Sequence, residues 1–436
     1  SFIPNALRYA YGMATNRFQE SIYSYNFYRL ISRTKRVYMI YDSRVNGLNV
    51  PTGGVSRYIL QLRHLYNLEG LDEAVYRFGT VKKNPRRVEV LKDENVMEHI
   101  DEFFTKGSKF RFSASSLTTY CQCKLRFYLE EVRKIKKPDE KEVYLSAASQ
   151  GNVMHRVLEL IYSGNLSGEG GKTPFVVTEG YLKEIIANQS ALKSMVKSAI
   201  ENELWGKDFD STRHRLNDFF NLYIDMMSRM VENVLKSDIA RCPIEVRNVE
   251  SSEVQQLPLP SGKKANMVFK IDRVDQPSGA NLRIVDYKTG KSNTIYTSIG
   301  DIFENMADNH VAFQLILYAY LYSLYHGIET DIDMEIYNLV ELNTSKKSVN
   351  ASKGSSNYKG GKLTLKEPKP GKDGSKKVQY DYVEQTLSQV NSGNAFVDKL
   401  FSIIEEIADK EVSFSQCREG SAICAYCPFR NSICQR

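Results

Sequence analysis

NMVFKIDRVDQPSGANLRIVDYKTGK, Asn266 to Lys291, sets the kind of core to expect. Met267 to Val274 and Leu282 to Lys288 are rich in Val, Ile, Phe and Tyr, and Gln276 to Asn281 supplies the Pro-Ser-Gly punctuation of a reversal. Two antiparallel strands are expected. Counting outward from the middle of the turn sets Asp272 across from the neighbourhood of Asp286, within reach of one metal ion, and side chains two apart on a strand share a face. Asp286 and Lys288 therefore point the same way, with Tyr287 behind them. Hard oxygen ligands of this kind suit Mg²⁺ or Mn²⁺, and a lysine beside them can hold an attacking water or offset charge building on a phosphorus centre. Asp-x-Lys is a common triplet, however, and on this stretch alone the two aspartates read first as ordinary polar residues at strand ends.

Around the hairpin the composition is that of a globular chain. Its 436 residues, 42% of them apolar, can bury a substantial core in one large or two ordinary domains. No apolar run approaches membrane-spanning length, so no membrane partner is expected. The chain starts at Ser1 without a signal-peptide pattern or an initiator methionine, and a soluble, cytoplasmic piece of a longer protein is expected. The net charge of +7 is concentrated: Asn343 to Lys377 carries ten lysines against Glu367 and Asp373, more than the whole surplus. With Gly, Ser, Asn and Pro interleaved, residues 343–377 read as a flexible basic loop able to lie along phosphates, or as a merely solvated insertion.

Residues 1–108 read as a separate α/β unit. Ser21 to Tyr41 has a helical apolar face followed by the strand-like run Val37 to Tyr41, and Gly53 to Arg57 opens a second helix through Tyr66. The stretch resembles the last motifs of superfamily 1 helicases, where a Tyr-rich helix presents an arginine to ATP. Ser32-Arg33-Thr34-Lys35 is the matching segment, and Arg33 would hold that position. No G-x-x-x-x-G-K-[ST] occurs in the chain, so no ATPase is expected from it. A plain α/β surface on which Arg33 makes ordinary salt bridges is the simpler reading.

From Ser113 the pattern changes. Capping hydroxyls at Ser113, Ser115 and Ser116 open a helix expected to run from Leu117 to Leu129, carrying Cys121 and Cys123. A second helix, Ala147 to Tyr162, contains Gly151 and His155; a histidine on an apolar face reads by itself as a satisfied core residue. Residues 163–240 look like a helical insertion with a break at Asp208 to Ser211. Strands resume at Ile244 to Val254, which contains Glu250, and lead into the hairpin. His310 to Tyr325 is a strongly apolar helix with Gln314 among its polar exceptions, Asp331 to Val340 reads as a strand, and Gln379 to Lys410 as mostly helical.

The tail, residues 417–436, is the other concentrated signal. Four of the seven cysteines, Cys417, Cys424, Cys427 and Cys434, fall in the last twenty residues. With nothing to suggest export, such a cluster reads as a metal or iron-sulfur site rather than a disulfide framework, with the helix carrying Cys121 and Cys123 offering a fourth thiolate. Four thiolates suit zinc or an iron-sulfur cluster, and the residues alone read as zinc first.

Taken in order, Ser-x-Ser-x-Leu-x-x-Tyr-x-x-Cys-x-Leu-x-Phe-Tyr (Ser113 to Tyr128), Gly-x-x-x-His (Gly151 to His155), Ile-Asp-Arg-Val-Asp (Ile271 to Asp275), Asp-Tyr-Lys-Thr-Gly (Asp286 to Gly290), Gln-x-x-x-Tyr (Gln314 to Tyr318) and the terminal Cys-x2-Cys form one set. The set resembles the RecB-type nuclease domain of the PD-(D/E)XK superfamily. It is similar in particular to AddB-type subunits, in which that domain carries a [4Fe-4S] cluster and follows a helicase-like region that has lost its ATPase. The resemblance implies an α/β fold: a restriction-endonuclease-like mixed β-sheet core flanked by helices over 109–436, with a helicase-like remnant over 1–108. It makes His155, Asp272 and Asp286 metal ligands with the carbonyl of Tyr287, makes Lys288 the catalytic lysine, and puts Gln314 and Tyr318 on the helix that flanks the site. Cys123, Cys424, Cys427 and Cys434 match the cluster ligands. The family usually has five residues between the last two cysteines where this chain has six, which keeps Cys417 as a reserve. Glu250 sits where related sequences often carry a glutamate before the hairpin, and an exposed strand residue would look the same.

The implied function is a Mg²⁺-dependent (or Mn²⁺-dependent) deoxyribonuclease. It would act on single-stranded or unwound DNA ends in double-strand-break repair, alongside a separate AddA-type helicase subunit. A catalytically inactive DNA-binding scaffold of the same fold and a zinc-ribbon interaction protein are the alternatives.

Overall fold

Apolar strand-formers on both sides of Pro277-Ser278-Gly279 do make a hairpin in the computed structural model. The structure describes residues 8, 11, 16–41, 54–68, 70–74, 88–135, 145–166, 174–206, 216, 218–290, 292–344, 361–368, 380–417, 422–430 and 432–434. The chain divides into two units, Ser1–Lys82 and Lys83–Arg436; the sequence alone suggests a boundary at 108/109. In the first unit, α1 (Asn16–Ile31) packs on α2 (Arg57–Leu60), with Phe27 stacked on Tyr58 at 4.7 Å and the Tyr28 hydroxyl donating to Gln61. Arg33 is exposed just past α1, and residues 37–41, expected as a strand, pair with none among the described residues.

The second unit begins with β1 (Glu89–Val90) and α3 (Glu94–Asp101), which pack in its core. Then come α4 (Ala114–Gln122), α5 (Lys124–Phe127) and α6 (Ala147–Tyr162). Ser113 and Ser116 form a capping box on α4, as their spacing allows. The helix expected through Leu129 is interrupted at Cys123, whose backbone is extended (φ −159°, ψ 107°). The insertion read as helical over 163–240 contains a strand, β2 (Phe175–Val177), before α7 (Glu179–Ala187), α8 (Gln189–Trp205) and α9 (Phe219–Ile239). The break expected at 208–211 lies outside the described residues.

β3 (Ile244–Pro258), β4 (Lys264–Pro277) and β5 (Leu282–Lys288) form an antiparallel meander. After β6 (Ile295–Tyr296), α10 (Ile299–Glu304) and α11 (Met306–His326), β7 (Ile332–Asn338) returns parallel to β5. The mixed sheet runs β2-β3-β4-β5-β7. Two helical layers cover it: α11, α4 and α3 with Ile284, Met334 and Ile336 beneath them, and α6, α8 and α9 over Val285, Tyr287 and Tyr337. This is the alternation a doubly covered sheet requires.

The chain ends with α12 (Leu339–Thr344), β8 (Thr364–Pro368), β9 (Tyr380–Glu384), α13 (Leu387–Val390), α14 (Ala395–Ala408) and β10 (Phe414–Ser415). Of the basic loop 343–377, residues 345–360 and 369–377 lie outside the described residues. β8 pairs with β6 and β9, and β10 pairs with β1. Lys92 closes the fold: its ammonium, 3% exposed with its residue, donates to the carbonyls of Glu406, Ile407 and Asp409 at the end of α14. Among the described residues no helix is long and apolar enough to cross a membrane.

Candidate metal centre and cysteine cavity

The β3–β4 ladder skips one pairing at the place where the β4–β5 ladder ends. β3 and β4 are in register at Val249↔Arg273 and at Ser251↔Ile271, and the pair between them, Glu250 with Asp272, is missing. The β4–β5 ladder stops at Arg273↔Val285, one step before Asp272 would meet Asp286. Ile271 and Val274 both enter the larger core although an uninterrupted strand would put them on opposite faces. The kink has a backbone signature: Glu250 takes φ +47°, a left-handed conformation disfavoured for a side chain with a Cβ.

The kink turns side chains inward that a regular sheet would leave in ladders. His155, on α6, has its Nδ1 2.8 Å from Glu250 Oε1 and 3.3 Å from Asp272 Oδ1. One ligand atom from each of the three lies within 4.8 Å of the others. The Tyr287 N–H donates to Asp272 Oδ2 (2.8 Å), so the end that would have been a ladder bond anchors a carboxylate. Asp286, 4% exposed, lies beside this group: Gln314 Nε2 of α11 donates to its Oδ1 (2.9 Å), and the Lys288 ammonium is 3.0 Å from Oδ2 and 3.2 Å from Gln314 Oε1. Asp286 Oδ2 is hidden from solvent and, despite the lysine, has no aligned hydrogen-bond donor. Tyr318, one turn beyond Gln314, is half-buried, and burial with the charges of Asp286 and Asp272 raises its hydroxyl above the ordinary value.

The electrostatics are those of a site holding more negative charge than it can keep dry. Burial first, and then the charge of Asp272, push Asp286 up to about 7. Burial works against a charged His155, but hydrogen bonds and charge from Asp272 and Glu250 outweigh it and push the imidazole up to about 10. Glu250 is held below its ordinary value, burial notwithstanding, by His155 and Lys270. A histidine with two carboxylates on it, next to a buried carboxylate oxygen lacking a donor, fits a divalent cation: the proton on His155 occupies a position the cation would take.

The residues expected at the metal site, His155, Asp272, Asp286, Tyr287, Lys288, Gln314 and Tyr318, thus share one neighbourhood. The close group is His155 and Asp272 with Glu250, while Asp286 is tied to Lys288 and Gln314. In the sequence Glu250 is only a strand residue of unassigned role; its place between Val249 and Ser251 gives no local sign of the kink that aims it.

Beneath the hairpin lies a buried ionic network that no motif announced. Arg273, fully buried, has nitrogens 2.9 Å from Asp238 and 2.8 Å from Asp275, and its guanidinium lies 4.0 Å over the Tyr162 ring. None of these nitrogens is aligned for a hydrogen bond, so the arginine is held by charge and ring faces. Arg283 bridges Asp275 and Glu335 (2.8 Å to each), and Tyr162 donates to Asp238 (2.6 Å). Tyr287, which follows Asp286, lies with its ring against the Arg273 guanidinium (5.6 Å). The only signal was arginine and aspartate alternating in an otherwise apolar strand.

At the far end of α4, one cavity is lined by Cys123, Cys417, Cys424, Cys427 and Cys434, with Arg126 and Arg430 also in its wall. Cys417 and Cys424 approach to 3.0 Å between sulfurs, and burial and its neighbours push the Cys417 thiol up to about 12. Cys121 is outside this lining and packs instead on the main core. The break at Cys123 is what turns its sulfur away from the α4 axis toward the tail. Soft donors converging in this number fit a four-thiolate group, and Cys417 makes them one more than four.

A mixed sheet with an Asp-x-Lys strand end and a helix-borne histidine defines a class of nuclease fold. The chain belongs to the PD-(D/E)XK nuclease superfamily, whose model matches residues 111–435, and the expected restriction-endonuclease-like fold holds. Relatives include the ATP-dependent helicase/deoxyribonuclease B subunit of Clostridium tetani (strain Massachusetts / E88), 25% identical over 239 residues, which are 53% of this chain and 19% of the relative. The protein of the same name from Clostridium perfringens (strain SM101 / Type A) is 24% identical over 370 residues, 75% of this chain and 30% of the relative. The chain therefore spans less than a third of the relatives it matches, and their name agrees with the AddB-type resemblance.

Proposed function

We propose that this chain is the nuclease-bearing part of an AddB-type helicase–deoxyribonuclease component, cutting DNA at ends opened by a separate motor protein in the cytoplasm during double-strand-break repair. The observation that carries it is the convergence of His155, Glu250 and Asp272 within 4.8 Å, beside Asp286 and Lys288. His155, Glu250, Asp272 and Asp286 would hold Mg²⁺ or Mn²⁺, with the Tyr287 carbonyl as a further donor. Such an ion, when bound, polarises a phosphate and lowers the pKa of water.

The chain's own groups do the rest. The Tyr287 N–H fixes Asp272 by one oxygen and leaves the other toward His155. Gln314 sets the rotamer of Asp286 and takes a hydrogen bond from Lys288, so the ammonium is held where it can orient a water and offset charge gathering on the phosphate oxygens. Tyr318, one turn further along α11, would line the path of a single strand entering the site.

End-labelled single-stranded DNA incubated with Mg²⁺ is expected to be degraded by the wild type and at least about a hundredfold more slowly by Lys288→Ala, the usual scale for losing a positioned acid–base group. Equal products from both would sink the nuclease reading and leave a DNA-binding scaffold.

The cysteine cavity supports a [4Fe-4S] cluster held by Cys123, Cys424, Cys427 and Cys434, with zinc as the second candidate because five thiols serve either. Its role is structural, since its ligands join the two ends of the nuclease domain. Anaerobically purified protein is expected to be brown, to contain iron and sulfide, and to lose thermal midpoint on Cys424→Ala. A colourless protein containing zinc would replace the cluster by that metal.

A further inference from the structure

The site contains a second lysine that the chemistry above leaves unused. Lys270 stands on β4 two residues before Asp272, and its ammonium lies 2.7 Å from Glu250 Oε2. The other oxygen of the same carboxylate faces His155 at 2.8 Å. Glu250 is thus shared between a residue of the metal group and a residue of the rim. The two sides differ in freedom: the Glu250 side chain is 11% exposed and sits on a backbone held at φ +47°, whereas the Lys270 side chain is 60% exposed on a flexible four-carbon stem. An ion pair this open on its lysine side contributes little and separates readily.

A divalent cation on His155, Glu250 and Asp272 would draw on the charge that holds Lys270. The carboxylate cannot serve both cations at full strength, and the mobile partner is the one that yields. Lys288 has no such freedom, since Asp286 and Gln314 hold it from the inner side. The two lysines therefore divide the work.

We propose that Lys270 is a DNA-gripping residue, which leaves Glu250 when the metal binds and takes a backbone phosphate next to the one being cut. This rests on the nuclease reading, and it makes metal loading and strand binding cooperative through one carboxylate.

The test is binding of a fluorescent single-stranded oligonucleotide to the full chain, with Ca²⁺ replacing Mg²⁺ so that binding is read without cleavage. Wild type, Lys270→Ala and Lys270→Arg are compared by anisotropy over a range of potassium chloride concentrations. Lys270→Ala is expected to bind several-fold more weakly, with a slope of log affinity against log salt shallower by about 0.7, the value for one phosphate contact on a single strand. Lys270→Arg keeps the wild-type slope. Without Ca²⁺ the difference between wild type and Lys270→Ala shrinks, because Lys270 is then on Glu250. An unchanged slope in Lys270→Ala, a difference that is the same with and without Ca²⁺, or a wild type that binds no single-stranded DNA overturns the proposal. The cleavage comparison with Lys288→Ala judges the nuclease reading separately, since the slope is read with no bond broken.

Discussion

Asp286 and His155 each hold a proton that a metal would have to remove. Burial and Asp272 raise Asp286 to about 7, and the two carboxylates on His155, prevailing over its burial, raise it to about 10. In the metal-free protein both shifts have the same sign for stability. An unfolded aspartate titrates at about 3.9, so between that value and about 7 the folded chain keeps a proton the unfolded chain has lost, and stability falls as pH rises through this window. The contribution of His155 is complete below its unfolded value of about 6.5 and is lost as pH climbs toward 10. Metal binding runs the other way. Calorimetric titration with Mn²⁺ is expected to give affinity rising with pH and more protons released per ion at about pH 6 than at about pH 8, where His155 alone still holds its proton. A pH-independent affinity would show that the ion takes neither residue, and Asp286→Asn should abolish the difference in proton release between the two pH values.

At the scale of elements, the hairpin, α4's start, α6 and α11 were legible because local rules govern them: turn residues, capping hydroxyls and a run of apolar side chains. β2 was not, since three residues between a turn and a helix take strand form only because β3 offers an edge. The strand expected at Val37 failed for the complementary reason, having no edge to join among the described residues. Glu250 is the clearest case. Nothing in Val249-Glu250-Ser251 favours a left-handed backbone; the conformation comes from the pairing that β3 and β4 skip there. The sequence could name the carboxylate and not its direction. Comparing Glu250→Ala with Glu250→Gly isolates that backbone, because both remove the carboxylate. In an ordinary strand glycine would be the less stable by about 0.5–1 kcal/mol. Here Glu250→Gly is expected to be the more stable by roughly 1 kcal/mol, read from urea midpoints, as relief of a positive φ requires. The usual order would mean that the kink carries no strain.

Over the whole molecule, the buried network binds sheet, α6 and α9 into the platform beneath the site. Asp238 comes from α9, Tyr162 from α6, and Arg273, Asp275, Arg283 and Glu335 from three neighbouring strands. Removing one charge leaves its partner buried and uncompensated, which costs about 3–5 kcal/mol. Asp238→Asn keeps the shape and strips the charge, and is expected to lower the unfolding free energy by that order. Because Arg273 packs on Tyr287, the variant should also weaken Mn²⁺ binding although Asp238 is no ligand. A loss of stability with metal affinity unchanged would confine the network to a structural role.

The lock made by Lys92 and by the pairing of β1 with β10 has a consequence for how the chain is made. Lys92 and Asp409 are 317 positions apart. At a synthesis rate of about 5–20 residues per second, the lysine leaves the ribosome on the order of 15–60 s before the carbonyls it will cap exist. Through that interval its ammonium stays in water and the edge of β1 is open, while the hairpin and α11 can already pack. The first strand of the unit is thus closed by a strand made more than three hundred residues later, and a message broken before the codon for Phe414 leaves the edge of β1 unpaired.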